Sequence, residues 1–247
     1  MTYRDRFYKN YFKTQASRYA DAPEANQIAI SEKTLSVEIL PLIPSNKETS
    51  ILELACGHGT LLGLLQRGGY TNTSGIDISD DQVEKSRQLG VGNVKCGDIL
   101  SFLSQPGDNY DVIIGVDIIE HFTKPELLSL LETIRERLNP GGQVIFRTPN
   151  CDALLGTTFY YGDFTHEIYL NYFSAEQVML TMGFTSINIR GSHIGVRNPI
   201  KNLVRSVLWV VLKFWCIAAL FASGRSAKKV AFTPNLIISA RKQDANS

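Results

Sequence analysis

Neither sign of charge dominates this chain: 25 Lys and Arg stand against 24 Asp and Glu in 247 residues, so no global field favours nucleic acid. Any basic contact surface has to be local. Cysteine pairing is missing too. Cys56, Cys96, Cys151 and Cys216 are scattered with no CxxC spacing, which points away from zinc and from a disulfide framework and toward a reducing, cytoplasmic compartment. No cluster of ligand residues stands at metal-binding spacing, so nothing in the sequence requires a metal. The opening MTYRDRFYKNYFKTQ contains no apolar run of the signal-peptide type, so export is not expected. Histidine is scarce, limited to His58, His121, His166 and His193, and there is no internal repeat or low-complexity tract.

What is present is a hydrophobic content of 44%, enough for one sizeable α/β core and a single domain over residues 1–247. Between residues 51 and 148, short apolar runs alternate with helix-like segments, which reads as consecutive βαβ units and a parallel sheet. The strand candidates are ILELA, SGIDI, NVKCG, YDVIIGV and QVIFR. Ser79 with Gln82, and Ser174 with Gln177, have capping-box spacing, and Gly90 and Gly183 stand where a left-handed stop is wanted. Leu127, Leu131, Ile134 and Leu138 recur at helical spacing after Pro125, and Asn139-Pro140-Gly141-Gly142 ends the run. Residues 1–44 read as a helical cap, and residues 151–247 as an acceptor-side region with an aromatic loop at 156–173 and a closing strand, NLIISAR.

The stretch ILELACGHGTLLG carries the first functional signal. A dinucleotide fingerprint wants glycines at the first, third and sixth places of the turn. Gly57 and Gly59 fit, but the sixth place is Leu62, and Glu53 on the strand would repel a pyrophosphate. The turn therefore suits a ligand with a cationic or zwitterionic end. Downstream, Asp77 ends the second strand, where an acid can accept both hydroxyls of a ribose, a pairing that by itself still fits a nicotinamide enzyme. Gly97-Asp98 then ends the third strand and Glu120-His121 follows the fourth.

Together these motifs, over residues 45–150, resemble the class I S-adenosylmethionine-dependent methyltransferases. The resemblance implies a Rossmann-like seven-stranded sheet with helices on both faces and its last strand antiparallel. It further implies that Glu53 and the backbone of Gly57 and Gly59 lie around the methionine end of S-adenosylmethionine, that Asp77 holds the ribose and that Ile78 packs on the adenine; His58, between the two glycines, either lines the same pocket or faces solvent. Asp98 and Ile99 would meet the adenine edge, and Val116 and Asp117 would border the cofactor. Taken without the resemblance, Asp77 and Asp98 are ordinary strand-end turn residues and His58 a solvent-facing one.

Methyl transfer to a hydroxyl needs an aligned acceptor and a group to take its proton. His166, in GDFTHE among Phe159, Tyr160, Tyr161, Phe164, Tyr169, Tyr172 and Phe173, is the first candidate base; His121 is the second, and Asp163 can also reach a hydroxyl. The plain alternative is a packed aromatic lid. TPN at 148–150, GDFTHE and the closing FTPNLIISARK look like bacterial methyltransferases of surface-polysaccharide and lipopolysaccharide clusters, related to ubiquinone-biosynthesis O-methyltransferases. That likeness implies O-methylation of a sugar hydroxyl on a glycolipid or polysaccharide precursor. A quinone or lipid phenol is the alternative acceptor, and a cofactor-binding partner of a membrane assembly without turnover is the alternative class.

An apolar helical insertion at 200–223 precedes the last strand. Residues 206–222 are apolar apart from Ser206 and Lys213, a stretch short for a span, and Lys201, Arg205 and Lys213 share one helical face. This reads as a peripheral contact of 203–222 with the inner face of a membrane, or else as an internal packing surface or homodimer interface.

Overall fold

The computed structural model describes residues 3–8, 11, 14, 24–196 and 198–243. Part of the expected N-terminal cap, residues 15–23, therefore lies outside the described residues. The strands are β1 (Ile51–Leu54), β2 (Thr73–Asp77), β3 (Val94–Cys96), β4 (Tyr110–Val116), β5 (Leu138–Pro149), β6 (Phe184–Gly191) and β7 (Asn235–Lys242). They form one seven-stranded sheet in the order β3-β2-β1-β4-β5-β7-β6. The first five run parallel, and β7 pairs antiparallel with both β5 and β6. This is the expected sheet with its reversed last strand.

The helices are α1 (Tyr3–Tyr8), α2 (Glu24–Glu38), α3 (Thr60–Arg67), α4 (Asp80–Gln88), α5 (Ile99–Ser104), α6 (Lys124–Arg137), α7 (Gly156–Tyr160), α8 (Tyr172–Thr181) and α9 (Pro199–Ala222). Strand periodicity divides the core between the two faces of the sheet. Leu52, Ile113, Val144, Phe146, Leu236 and Ile238 face α5, α6 and α8, whereas Ile51, Val112, Ile114, Ile145 and Ile237 face α2 and α3. The runs of β1 and β4 are buried on both sides, which is why they read as continuous, whereas the edge strand β3 buries only Val94.

Ser79 caps α4 by accepting from the Gln82 amide, and Gly90 follows with φ 74°. The second expected box shifts. Asn171, not Ser174, is the cap of α8; Ser174 sits at its third position and returns a bond to the Asn171 amide at 2.9 Å. Asparagine outranks a backward-reaching serine here because its longer side chain meets the amide of residue 174 at 3.0 Å. Asn139-Pro140-Gly141-Gly142 does follow the end of a helix, yet these residues already belong to β5, whose register against β4 shifts between Tyr110 and Val112.

Candidate functional site

The glycine turn joins β1 to α3 at the carboxyl edge of the sheet, where open α/β sheets bind ligands. Gly57 and Gly59 both have positive φ, 53° and 79°. Their amides are spent inside the fold: Gly57 N–H donates to Asp77 Oδ2 at 2.7 Å and Gly59 N–H to the Cys56 carbonyl at 2.9 Å. These glycines thus shape the turn. The close helix–strand packing that a sixth-place glycine would allow is obtained from the opposite side. A Cβ on Gly75 of β2 would stand 2.6 Å from Leu62 Cδ1 and 2.7 Å from Cys56 Sγ, so Gly75 makes the room that Leu62 fills.

Above the turn lies a cleft of about 620 Å³ lined by Glu53, Ala55, Gly57, His58, Val116 and Asp117, with α2 contributing Gln27, Ile30, Ser31 and Thr34 as its far wall. Ala55 and Asp117, at the ends of neighbouring strands β1 and β4, both hold left-handed backbone, φ 51° and 50°. Residues other than glycine seldom adopt that conformation, and such strain gathers at ligand sites. His58 is half-buried, its Nδ1 3.3 Å from Gln82 Oε1 and its Nε2 2.8 Å from Thr60 Oγ1.

Glu53 is 5% exposed, and its Oε2 has no hydrogen-bond partner. Burial pushes its carboxyl up to about 8, with nearby Asp77 adding to the rise against the opposing Leu62 amide. A buried acceptor left open toward a cleft is a demand for a donor, and an ammonium group is the donor that would ionise it. Asp77 accepts from the Gly57 and Ser79 amides through different oxygens, which fixes its carboxylate and leaves lone pairs on each. Ile78 is 60% exposed. Asp98 is exposed and caps α5 through the Ser101 amide at 2.8 Å, while Ile99 is buried in the core.

Two residues beyond Asp117 the chain begins a 3₁₀ turn, Ile119–His121, onto which the aromatic loop is pinned: the Glu167 and Ile168 amides both donate to the Glu120 carbonyl, at 2.7 and 3.2 Å. This brings His121 and His166 together, ring centroids 4.9 Å apart and nearly perpendicular. Their tautomers follow from their partners. His166 Nδ1 lies 3.0 Å from the Tyr160 carbonyl, which only accepts, so Nδ1 carries the proton and Nε2 the lone pair. The Thr165 hydroxyl donates to Asp163 Oδ1 at 2.7 Å, so it accepts from His121 Nδ1 at 2.9 Å, and His121 Nε2 is likewise free of a proton. Burial, and next the neighbouring His166, push the His121 imidazole down to about 4. Asp163, although partly buried, is held below the usual carboxylate range by Thr165 and by the Tyr11 hydroxyl, which donates to Oδ2 at 2.8 Å. Asp163 therefore acts as the anchor of this relay.

Glu120, His121 and His166 also offer ligand atoms within 4.8 Å of one another, a group that could hold a divalent cation. The sequence, in which no ligand cluster appears, hides this group because its members come from separate loops. Several contributors carry no signal of their own. Tyr11 and Thr165 are of this kind. Arg147 is different: a lone cation within the apolar QVIFR, it bridges Glu38 at 3.0 Å and Asp117, tying α2 to the strand ends. The expected aromatic cluster divides: Tyr160 is buried against Tyr169 at 5.0 Å, while Tyr161 and Phe164 are exposed, Phe164 stacked on Phe7 at 5.1 Å. His193 is exposed, and its amide donates to Glu38 Oε1 at 2.7 Å.

A family model described as a methyltransferase domain matches residues 28–184. Among curated proteins, the chain is similar to a ubiquinone biosynthesis O-methyltransferase of Hydrogenovibrio crunogenus, 26% identical over 121 residues, or 47% of this chain and 49% of that one. It is also similar to an uncharacterized protein of a Streptomyces fradiae transposon, 30% identical over 55% of this chain and 39% of that one. The chain thus spans about half the length of the curated relatives it matches. Among solved structures, a SAM dependent methyltransferase from Archaeoglobus fulgidus superposes with TM-score 0.64 at 20% identity, over 87% of this chain and 94% of that one. A magnesium protoporphyrin IX methyltransferase from Synechocystis with bound SAH superposes with TM-score 0.61 at 17% identity, over 97% and 100%.

Proposed function

The chain belongs to the methyltransferase-domain family matched over residues 28–184, and from that premise we propose that it O-methylates a sugar hydroxyl of a glycolipid or polysaccharide precursor, using S-adenosylmethionine, at the cytoplasmic face of a membrane. The observation that carries the reading is the pair of histidines brought together by the 3₁₀ turn and the aromatic loop, each oriented by an oxygen partner on Nδ1 so that Nε2 is the lone-pair nitrogen of the neutral ring. The cofactor reading is supported by Glu53, whose unpaired Oε2 fits an ammonium, and by Asp77, whose fixed carboxylate fits a ribose diol. When bound, S-adenosylmethionine supplies a methyl group on a sulfonium that a nucleophilic oxygen can displace in line. The chain's own part is to orient the acceptor and to take its proton: His166 Nε2 receives the hydroxyl proton, and His121, fixed through Thr165 by Asp163, stands edge-on against His166 and holds that ring in place. On this reading Glu53, His58, Asp77, Ile78, Asp98, Val116 and Asp117 face the cofactor, Gly57 and Gly59 shape the turn beneath it, and Ile99, expected beside the adenine, instead supports Asp98 from the core. The likeness to a ubiquinone biosynthesis O-methyltransferase favours a lipid phenol as second reading.

The test is to incubate the protein with methyl-labelled S-adenosylmethionine and an envelope fraction and to partition the label. Label is expected in glycolipid or polysaccharide; label in a quinone-like organic product would replace the sugar by the phenol. His166→Ala should lower turnover about 100-fold or more with cofactor affinity kept, as loss of a general base does. Turnover unchanged by that substitution would sink the assignment of the base.

A further inference from the structure

The methyl-transfer centre leaves α9 unused. Its 24 residues extend about 36 Å at the α-helical rise, long and apolar enough to cross a bilayer, and none of them is buried. Its sides differ. Asn202, Arg205, Ser206, Trp209, Cys216 and Leu220 are half-buried. Leu203, Val207, Val210, Phe214 and Phe221 point outward, Phe221 82% exposed. The exposed apolar residues continue round the helix through Val211, Val204, Trp215 and Leu208, and at about 100° per residue Lys213 and Lys201 flank the two edges of that wide arc, where their stems can lie along it with the ammonium groups in water.

A spanning pose conflicts with where the helix sits. Trp209 and Lys213, at its middle, line a groove with Tyr172, Ile189, Lys229 and Phe232 of the body, so crossing would carry β6 and the Lys229–Glu176 ion pair to mid-bilayer depth. The two ends of the excursion are also joined, Ser192 N–H donating to the Asn235 carbonyl at 2.9 Å and Asn235 N–H to Ser192 Oγ at 3.1 Å.

Charge selects the partner. Between Glu176 and Asp244 the chain has no acidic residue, although its net charge is only +1, so basic groups are concentrated here and the rest is acidic in balance. Of Lys201, Arg205, Lys213, Arg225, Lys228 and Lys229, only Lys229 has an acidic partner among the described residues. A second copy of this helix would meet it with like charge, whereas anionic headgroups complement it. We infer that α9 lies in the plane of an anionic bilayer surface, its apolar arc at the acyl boundary and its border cations among the headgroups. The inference rests on the methyl-transfer reading for its purpose, which is to hold the acceptor centre where lipid-linked substrates are.

The test uses the full chain with vesicles of phosphatidylglycerol and phosphatidylcholine, and of phosphatidylcholine alone. Both tryptophans, Trp209 and Trp215, lie on α9, so their emission reports on it alone. The expected result is sedimentation and a blue shift only with phosphatidylglycerol, weakened by salt, with stronger quenching by lipids brominated near the headgroup than at the bilayer centre. Val210→Ser with Phe214→Ser and Phe221→Ser should lower partitioning about 100-fold, and Lys201→Gln with Lys213→Gln and Lys228→Gln about tenfold or more, with cofactor affinity unchanged in both. Three results would overturn the inference: protein left in the supernatant with both vesicles, quenching strongest at the bilayer centre, or a dimer whose emission ignores vesicles. Cofactor binding measured on the same samples separates the two readings: lost docking with binding intact sinks only the membrane surface, and lost binding with docking intact sinks only the methyltransferase reading.

Discussion

In the proposed cofactor site, Glu53 sets stability against ligand binding within one side chain. Its carboxyl titrates at about 8 in the folded chain because it is buried, against about 4.3 unfolded. Between those values the folded state holds the extra proton, so stability is greatest below the unfolded pKa and falls as pH rises through the window. Glu53→Gln should remove that slope and stabilise the ligand-free protein by on the order of 1–3 kcal/mol at pH 8, while costing about 100-fold in cofactor affinity. Melting curves at pH 5 and 8, with calorimetric titration of S-adenosylmethionine, check both halves. A variant that melts as the parent does at pH 8 would show that Glu53 is not buried as described. Such a residue is legible from sequence as an acid within an apolar strand, whereas its unpaired oxygen is not, because that depends on what Leu62 and the cleft leave around it. The relay from Asp163 through Thr165 to His121 was hidden for a related reason: a threonine two places from an aspartate is commonplace until a histidine from another loop meets it.

At the scale of elements, patterning locates the five parallel strands and the closing one, because apolar runs buried on both faces leave little ambiguity in Ile51–Leu54 or Tyr110–Val116. Boundaries set by polar side chains were harder to read. Ser174 and Gln177 imitate a cap, yet Asn171 makes the reciprocal bonds that start α8. Asn171→Ala should therefore destabilise the protein by about 1 kcal/mol, and Gln177→Ala should leave it within about 0.5 kcal/mol of the parent, as read by urea unfolding. Equal losses from the two would return the cap to Ser174. The left-handed ends of β1 and β4 belong to this scale too: Ala55 and Asp117 follow the last residues of neighbouring strands, and both line the cleft.

For the molecule as a whole, the ligand cleft and the exposed helix are separate investments. S-adenosylmethionine at 100 times its Kd should stabilise the chain by about 2.7 kcal/mol, and deletion of residues 203–222 should leave that increment unchanged while abolishing sedimentation with anionic vesicles. Differential scanning fluorimetry with and without cofactor reads the first part, and a lost increment would mean that α9 supports the cleft. The independence follows from the clasp of Ser192 on Asn235, which closes the β6–β7 pair before the helix begins. Since loop-closure entropy grows only slowly with length, the sheet scarcely registers how many residues are strung beyond that clasp. The edge hairpin is in effect a socket: the same catalytic body, fitted there with a short turn or a different helix, would be readdressed to another compartment or partner without its chemistry being rebuilt.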